Sequence, residues 1–400
     1  MKILIVTQYF WPENFKINDV AEALIERGHQ VSVLTGRPNY PNGKFYDSYS
    51  YFNKFYEVWN NIKIYRSFMI PRGNGKGVFL FLNYISFAIF SSFRLFFIKD
   101  KFDKILVYEP SPITVGIPAL VCKFKFKAPI YFWVQDLWPE SLTAAGGVNN
   151  KYILGFFSRL TKFIYSHSFK ILVQSKAFIP YIVNQNVSLD KLVYFPNSTE
   201  SYYKKQEVNP HFFAKFPEGF KMIFAGNLGE AQSFDTIIEA VYLLIKEGID
   251  VHLIILGNGR LKEYIQEKVI KLGLHKNIHL WGSFESNLMP EFFSCADALL
   301  VSLKKDLIFS LTIPSKIQSY LACGKPIIAS LDGEGARIVK ESNSGFTSNS
   351  EDIHGLKDAI KKMYYLTPKE KLEFGENARN YFEKEFEREM LIDKLEEIFS

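Results

Sequence analysis

The feature that most constrains this chain is an alternation of short apolar runs with longer amphipathic segments. Its clearest copy joins an apolar run at residues 298–303 to a second one at 327–330 through an amphipathic stretch. A strand, a helix and a strand in that order form a crossover between parallel strands, which a tight turn cannot connect. Gly324 allows the left-handed stop at the end of the helix. We therefore predict parallel α/β sheets.

The alternation fills the chain twice over. Strands are predicted at residues 2–6, 30–34, 104–108, 129–134, 170–173 and 192–195, and then at 221–225, 251–256, 277–280, 298–303 and 327–330. A polar stretch at 198–219 has no clear period and is predicted to be a linker. The pattern predicts an α/β fold of two doubly wound, Rossmann-like domains that face one another across a cleft.

The predicted domain boundaries follow this division. Residues 1–200 form the first domain, residues 201–380 form the second, and residues 381–400 form a C-terminal helix that crosses back to the first. Residues 368–399 are expected to be helical throughout, because no strong breaker interrupts their amphipathic pattern.

Charge and cysteine usage narrow the partners. The formal net charge is +6 with a pI of about 8.8, which favours anionic ligands or an anionic membrane surface. No basic nucleic-acid-binding motif occurs, so a nucleic-acid partner is not expected. The three cysteines are widely spaced, and the chain enters its first strand directly, so we expect a cytoplasmic protein without a cleaved signal peptide.

One apolar segment, residues 78–98, bears on localisation. Arg94 is its only charged residue, and five basic residues flank it: Arg72, Lys76, Lys99, Lys101 and Lys104. Its length allows a membrane span, whereas its polar interruptions suit a buried domain helix or a helix that lies on a bilayer. The basic flanks favour peripheral attachment to the inner face of the cell membrane.

Three helix starts carry the chemistry of an anion site. Ser315 and Lys316 open the helix before Gly324, and glycine-rich loops follow two earlier strands as Gly226-Asn227-Leu228-Gly229 and Gly257-Asn258-Gly259. Free backbone N–H groups, helix dipoles and an ammonium group suit a nucleotide diphosphate, although each feature alone also fits an ordinary crossover. No Asp-x-Asp pair occurs, so no metal is predicted. Neither a nucleophile elbow nor a Walker loop is present.

Carboxylates mark the corresponding edge of the first half. Asp136 and Glu140 flank Trp138-Pro139, and Glu109 follows the preceding strand. Such groups can hold a hydroxyl or take its proton, or they can simply cap the next helix. The loop after the first strand ends in the same region and supplies Asn14 and Lys16.

Taken together, these motifs resemble those of the GT-B glycosyltransferases of the large retaining family 4, over essentially the whole chain. The residues that carry the resemblance are 2–10, 28–35, 134–140, 224–229, 256–259, 313–316 and 324–326. Within that family the chain is most similar to the bacterial N-acetylfucosaminyl-type transferases of O-antigen and capsule biosynthesis.

The resemblance implies a nucleotide-sugar donor, UDP-linked, in the second domain and a lipid-linked or saccharide acceptor in the first. The nucleotide sugar is a co-substrate, and neither a metal nor another cofactor is implied. The sequence departs from the family pattern where a pair of glutamates is expected, since it has Leu311 and Ser319, and it has Asn227 in place of a basic residue. Glu334 opens the next helix and is a candidate to replace one lost carboxylate.

The predicted reaction is retaining transfer of a hexosamine-type sugar without a metal. Lys316, with Ser315, Gly226, Asn227, Leu228, Gly257 and Asn258, would bind the donor, and Lys316 would stabilise the departing diphosphate. Asp136 would position the acceptor, with Asn14, Lys16, Glu109 and Glu140 around it. Two alternatives stay open: a UDP-sugar 2-epimerase of the same fold, and a catalytically silent sugar-nucleotide-binding partner.

Overall fold

The structure is a computed structural model that describes residues 1–75 and 77–400. Lys76, one of the predicted basic flanks, and the side chains of residues 144–146 lie outside the described residues. The chain divides into two compact units. The first consists of Met1–Asn197 with Ile392–Ser400, and the second consists of Ser198–Leu391.

The first unit is built on an eight-stranded sheet. Its strands are β1 (Lys2–Val6), β2 (Gln30–Thr35), β3 (Tyr56–Trp59), β4 (Ile62–Arg66), β5 (Lys104–Glu109), β6 (Ile130–Val134), β7 (Lys170–Val173) and β8 (Leu192–Tyr194). Its helices are α1 (Lys16–Glu26), α2 (Gly77–Arg94), α3 (Gly116–Phe126), α4 (Glu140–Gly146), α5 (Lys151–His167) and α6 (Phe178–Val183). The strand order is β3-β4-β2-β1-β5-β6-β7-β8, and all neighbours are parallel except β3 and β4.

Burial explains why the central strands are continuous apolar runs. After its first residue, every side chain of β1 and β5 is buried, and all of β6 is buried. A parallel strand covered on both faces has no solvated side that would need polar residues. Because β1, β5 and β6 are neighbours, the loops that leave their carboxyl ends lie together at one edge of the sheet.

The β3–β4 hairpin is a part of this sheet that the sequence analysis missed. Its two-residue turn, Asn60-Asn61, has φ of 46° and 63°, and the strands pair antiparallel with Trp59 opposite Ile62. Asparagine tolerates the left-handed region, and two such residues between apolar strands are typical of a tight hairpin. The signal was therefore present in the sequence.

The second unit is built on a six-stranded parallel sheet of order β11-β10-β9-β12-β13-β14. The strands are β9 (Phe220–Ala225), β10 (Val251–Leu256), β11 (Ile278–Gly282), β12 (Ala298–Ser302), β13 (Ile327–Ser330) and β14 (Gly345–Ser348). The helices are α7 (Pro210–Phe213), α8 (Phe234–Lys246), α9 (Lys262–Lys271), α10 (Met289–Ser294), α11 (Leu307–Leu311), α12 (Ser315–Ala322), α13 (Gly333–Glu341), α14 (Ile353–Tyr365), α15 (Pro368–Glu385) and α16 (Arg388–Phe399).

Part of the predicted linker is core. The short helix α7 is capped by Asn209, and it places Phe212 4.8 Å from Phe292 and Phe216 4.7 Å from Trp281 between ring centroids. Phe216 is buried in the second unit. The linker prediction is therefore wrong for residues 210–216, because two aromatic residues four positions apart pack without any longer periodic pattern to announce them.

The C-terminal region contains two helices where the sequence predicts one. The chain leaves helical geometry at Phe386, whose φ is −132° and whose side chain is fully buried, and α16 begins two residues later. Burial of the Phe386 ring outweighs the local preference for a continuous helix. Ile392–Ser400 then belongs to the first unit, where Phe399 lies 4.8 Å from Tyr131 and Glu396 accepts a 2.6 Å contact from His29.

Candidate functional site

A pocket of about 510 Å³ opens at the carboxyl edge of the second unit's sheet. The loops after β9, β10 and β11 and the first turn of α12 form its walls. The lining residues are Tyr203, Ala225, Gly226, Asn227, Leu256, Gly257, Asn258, Ser283, Phe284, Ser286, Met289, Phe293, Ser315, Lys316, Ser319 and Tyr320. Six residues predicted to bind the donor are thus in one cavity, and the loops of three separate strands bring them there.

Two glycines allow the loops to approach one another. Gly257 has φ of +153°, and a Cβ added to it would lie 1.9 Å from the backbone oxygen of Gly226. Gly226 has φ of +144°, and a Cβ there would lie 2.6 Å from the Cε of Lys316. Any other residue would push the loops apart or displace the lysine, so the floor of the pocket depends on bare backbone.

The Lys316 side chain lies over this floor. Its ammonium is 3.9 Å from the centroid of the Phe224 ring and donates a hydrogen bond to Oε1 of Gln232. Burial lowers the pKa of Lys316 to about 7, because no carboxylate compensates for lost hydration. An anion that entered the pocket would restore the favourable charge partner, so proton binding and anion binding by this group are coupled.

Ser319 has a hydroxyl at a position where the sequence resemblance implies a carboxylate. The Oγ of Ser319 lies 3.2 Å from Oγ1 of Thr199 and donates to the backbone oxygen of Ser315. Among the described residues that line the pocket, none is acidic, and the described chain contains no cluster of three His, Cys, Asp or Glu that could hold a metal ion. The pocket is therefore neutral apart from one ammonium.

Other lining residues escaped the sequence analysis. Tyr203 follows the first strand-rich half, while Ser283, Phe284 and Ser286 follow β11, and Phe284 keeps 43% of its surface exposed. An aromatic face at the rim of a nucleotide pocket suits a base. The loop after β11 could have been suspected from its place at the same sheet edge, but Tyr203 gave no local signal.

Two predicted donor residues do not line the pocket. Leu228 is buried, and its N–H donates to the oxygen of Asn258 at 2.9 Å, so it ties the two glycine loops together. Glu334 is buried in the first turn of α13, and both its oxygens accept hydrogen bonds from Arg337, at 2.9 and 3.1 Å. Its role as a replacement donor ligand stays a prediction.

Carboxylates gather at the carboxyl edge of the first unit's sheet. Glu109 ends β5, is fully buried, and receives no hydrogen bond from any side chain of the described residues. Burial and the nearby charge of Asp136 raise the pKa of Glu109 well above its ordinary value, and burial raises the pKa of Asp136 to about 6. Two adjacent desolvated carboxyls cannot both carry charge cheaply, so one of them holds a proton.

The remaining predicted acceptor residues lie at the same edge but are more open. Glu140 opens α4, and burial raises its pKa. Asn14 is exposed in the loop after β1, and Lys16 begins α1 and is partly buried. The neighbouring order of β1, β5 and β6 thus groups these residues around one sheet edge.

The sequence analysis overlooked Glu13 in this region. Its carboxylate is buried and accepts hydrogen bonds from the backbone N–H groups of Asn39 and Tyr40, at 2.8 and 2.7 Å. Burial raises the pKa of Glu13 to about 7 despite these donors. Because its partners come from a distant loop, no pattern in the sequence could have identified it.

Comparison with known proteins bears on this arrangement. Residues 205–381 match the family model described as "Glycosyl transferases group 1". The chain is 26% identical to a probable glycosyltransferase, WbjE, of Pseudomonas aeruginosa over 64% of this chain and 65% of that one. It is 24% identical to the putative colanic acid biosynthesis glycosyl transferase WcaI of Escherichia coli K12 over 81% of this chain and 82% of that one.

Among solved structures, the chain is similar to Anabaena Alr3699/HepE in complex with UDP. The TM-score is 0.71 at 14% identity, with 100% of this chain and 99% of that chain covered. At this identity the likeness shows the fold, which is the GT-B architecture of two parallel-sheet α/β units. The prediction of the fold class is confirmed.

Proposed function

We propose that this chain, whose residues 205–381 form a glycosyl transferases group 1 domain, transfers a sugar from a UDP-linked donor to a lipid-linked or saccharide acceptor. The observation that carries the proposal is the second unit's pocket, where one partly desolvated ammonium lies over two interlocked glycine loops. A diphosphate needs this combination of bare backbone and positive charge. The UDP bound by the similar Anabaena protein supports the choice of nucleotide.

The chemistry follows from charge. In transfer, the bond between the sugar's anomeric carbon and the diphosphate oxygen breaks, a bond to the acceptor oxygen forms, and the proton of the acceptor hydroxyl passes to the departing diphosphate. Negative charge grows on the departing diphosphate, and Lys316 with the first turn of α12 stabilises it, in a site where electrostatic interactions are stronger than in water. No lining residue holds a metal in this account, so the lysine and the helix dipole carry the charge.

Acceptor binding is assigned to the first unit. Burial and the nearby charge of Asp136 raise the pKa of Glu109, which favours its protonated form and leaves Asp136 to accept a hydrogen bond from the acceptor hydroxyl and to orient it. Glu140, Asn14 and Lys16 surround this position. For transfer, the donor and the acceptor hydroxyl must meet with water excluded, because water would otherwise hydrolyse the donor.

The finer assignments rest on residue chemistry and on relatives. Leu311 and Ser319 remove two carboxylates that would bind sugar hydroxyls, which suits a donor with fewer of them, such as an N-acetylated deoxyhexosamine transferred with retention. The relative WcaI, which is named for colanic acid biosynthesis, supports a role in bacterial polysaccharide biosynthesis, and we propose that the product is an O-antigen or a capsule. We place the protein in the cytoplasm, peripherally on the inner face of the cell membrane.

One alternative has its own supporting observation. This alternative is a catalytically silent partner, which binds a nucleotide sugar but does not transfer the sugar. It is favoured by the absence of any acidic side chain among the pocket's described lining residues. A UDP-sugar 2-epimerase, by contrast, needs carboxylates or histidines near the sugar, and the same lining disfavours it.

The test has two stages. Thermal shift against a panel of nucleotide sugars should single out UDP-sugars, and radiolabelled donor should then give a product only when a lipid-linked or saccharide acceptor is present. Lys316→Met should lower turnover about a hundredfold, since it removes the charge that faces the leaving group. Lys305→Met, an exposed lysine on the loop before α11, is the matched control and should leave turnover unchanged.

Each failure has a distinct meaning. Donor binding without transfer to any acceptor would favour the silent partner. Isomerised UDP-sugar without an acceptor would indicate the epimerase. A fully active Lys316→Met protein would remove the leaving-group assignment.

A further inference from the structure

Helix α2 is packed with its polar side inward. Asn83, Ser86 and Ser91 are buried, whereas most of the helix's large apolar residues are exposed. Asn83 accepts a 2.7 Å hydrogen bond from Gln8 and donates one to the oxygen of Ile70, and Ser91 lies 2.8 Å from the hydroxyl of Ser67. A helix of a soluble domain normally has the opposite arrangement.

The outward side of this helix is strongly aromatic. Phe79, Phe93, Phe96 and Phe97 are 58%, 63%, 72% and 73% exposed, and Val78 is 71% exposed. By length and composition the segment Gly77–Phe97 could cross a membrane, with 33% of its most apolar window buried. Its hydrogen bonds to Gln8, Ser67 and Ile70, in the loops that follow β1 and β4, fix it to the domain, however, so its apolar side needs a partner that comes to the surface.

Two neighbouring helices extend this surface. α3 contacts both α2 and α5. Phe124 on α3 is 70% exposed, and Tyr152 and Phe156 on α5 are 90% and 60% exposed. We call the exposed sides of α2, α3 and α5 the docking face. Exposed aromatic residues on three adjacent helices exceed what a monomer leaves uncovered by chance.

The charges around the docking face have a single sign. The sequence has no Asp or Glu between Glu57 and Asp100, none between Glu109 and Asp136, and none between Glu140 and Asp190. These three stretches contain α2, α3 and α5, and they supply exposed basic residues such as Lys99, Lys127, Lys151 and Arg159. In the same unit, α1 and α16 carry several acids, so the bias is local to the docking face.

We infer that the docking face binds the surface of an anionic phospholipid bilayer. Aromatic rings would enter the interface between headgroups and acyl chains, while the surrounding lysines and arginines attract the anionic headgroups. A partner protein would need a surface with many acidic residues to match these basic ones, whereas an anionic bilayer presents negatively charged headgroups over its whole surface. The inference rests on the proposed function in one respect only: bilayer binding would bring the enzyme to a lipid-linked acceptor.

The experiment is flotation of the purified full-length chain with liposomes of phosphatidylglycerol and phosphatidylcholine. Binding should increase with the anionic fraction and decrease with salt. Phe93→Glu with Phe96→Glu, at and just beyond the C-terminal end of α2, and separately Tyr152→Glu with Phe156→Glu on α5, should each weaken binding at least about tenfold, because each pair places charge in the bilayer interface. Lys99→Glu with Lys151→Glu should weaken binding to liposomes that contain phosphatidylglycerol and should not change binding to liposomes of phosphatidylcholine only.

A matched control comes from the second unit. Ile270 and Tyr365 are 71% and 66% exposed there, and their double substitution to Glu should leave binding unchanged. Circular dichroism and donor thermal shift establish that every variant is folded. The inference is overturned if the wild type does not float, or if the α5 pair binds as the wild type does. It is also overturned if light scattering shows a dimer that the same substitutions dissociate.

The two proposals fail separately. Transfer to a water-soluble acceptor analogue should be the same for the wild type and for both aromatic pairs. Loss of flotation with that activity intact supports the docking face, and absent transfer with normal flotation contradicts only the proposed function.

Discussion

At the scale of single residues, the candidate site of each unit depends on a group whose charge is poorly compensated. Lys316 is an ammonium that has lost water without gaining a carboxylate, and Asp136 is a carboxyl in a similar position. Burial shifts both pKa values towards neutrality, as is common where a group must meet a charged or reacting partner. Glu334, by contrast, has its charge matched by Arg337.

The first residue-scale prediction concerns pH. In the proposed function, Asp136, with its pKa of about 6, is ionised when it holds the acceptor, and Lys316, with its pKa of about 7, is protonated when it holds the diphosphate. The value of kcat/KM should therefore rise with pH up to about 6 and fall above about 7, with a slope near one on each side.

The assignment of the two limbs can be checked separately. In Lys316→Arg the guanidinium stays charged, so the alkaline limb should disappear while the acid limb remains. An alkaline limb that persists in this variant would show that another group titrates.

A second residue-scale prediction concerns Glu334. Because both its oxygens bind Arg337, we expect Glu334→Gln to lower the free energy of unfolding by about 1–3 kcal/mol. Arg337→Met should have a similar effect, measured by urea denaturation. If donor affinity falls about tenfold in Glu334→Gln and not in Arg337→Met, the carboxylate binds the donor as well, as its place in the sequence predicts.

At the scale of elements, contact between loops forms the second unit's pocket. The loops after β9 and β10 touch through Gly226, Leu228, Gly257 and Asn258, and α12 begins beside them with Ser315 and Lys316. Parallel strands place these loops at one edge, and glycines allow the remaining approach. The pocket is thus a property of three crossovers and of no single motif.

This contact leads to a prediction for Gly257→Ala. The new Cβ would overlap a backbone oxygen in a conformation that alanine rarely adopts, so we expect a loss of about 3 kcal/mol in unfolding free energy and weakened UDP binding. Gly248→Ala is the control, since Gly248 also has a positive φ but nothing lies within 4 Å of the added atom. It should lose about 1 kcal/mol and bind UDP normally. Equal losses would mean that the loop contact is unimportant.

At the scale of the whole molecule, the chain's last residues stabilise its first unit. Ile392, Leu395 and Phe399 are buried there, and Lys104 donates to the backbone oxygen of Phe399. The first unit therefore consists of two segments far apart in the chain. Its core therefore includes side chains from both segments.

Removal of residues 392–400 should destabilise the first unit selectively. Three buried apolar side chains are lost, so we expect a fall of more than about 4 kcal/mol in the unfolding free energy of that unit. Hydrogen exchange should accelerate in β1 and β6 and stay unchanged in β9 and β10. Deletion of Ser400 alone, which is exposed, is the control. Uniform acceleration in both units would contradict the assignment of this segment.

Local physics explains what the sequence determined. Short-range sequence patterns determine the buried parallel strands, the glycine-rich loops and the start of α12. A strand covered on both faces must be apolar, and a proline is best tolerated in the first turn of a helix, so it marks where the helix begins. For this reason Gly226, Asn227, Gly257, Asn258, Ser315 and Lys316 could be predicted to share a sheet edge. Asp136 and Glu109 could be placed at the corresponding edge of the first unit.

Only the tertiary structure decided which side chains contact one another and which face of each helix is buried. Several features depend on neighbours that are distant in sequence. They are the ion pair of Glu334, the burial of Phe216, the aromatic and hydroxyl groups that Tyr203, Phe284 and Ser319 add to the pocket, and the inward polar side of α2. Hydrophobic periodicity reports that a segment is apolar, but the same pattern serves a core and a bilayer surface equally well. The buried hydrogen bonds of Asn83 and Ser91 fix the orientation of α2, because unsatisfied polar groups in the interior would cost more than exposed phenylalanines.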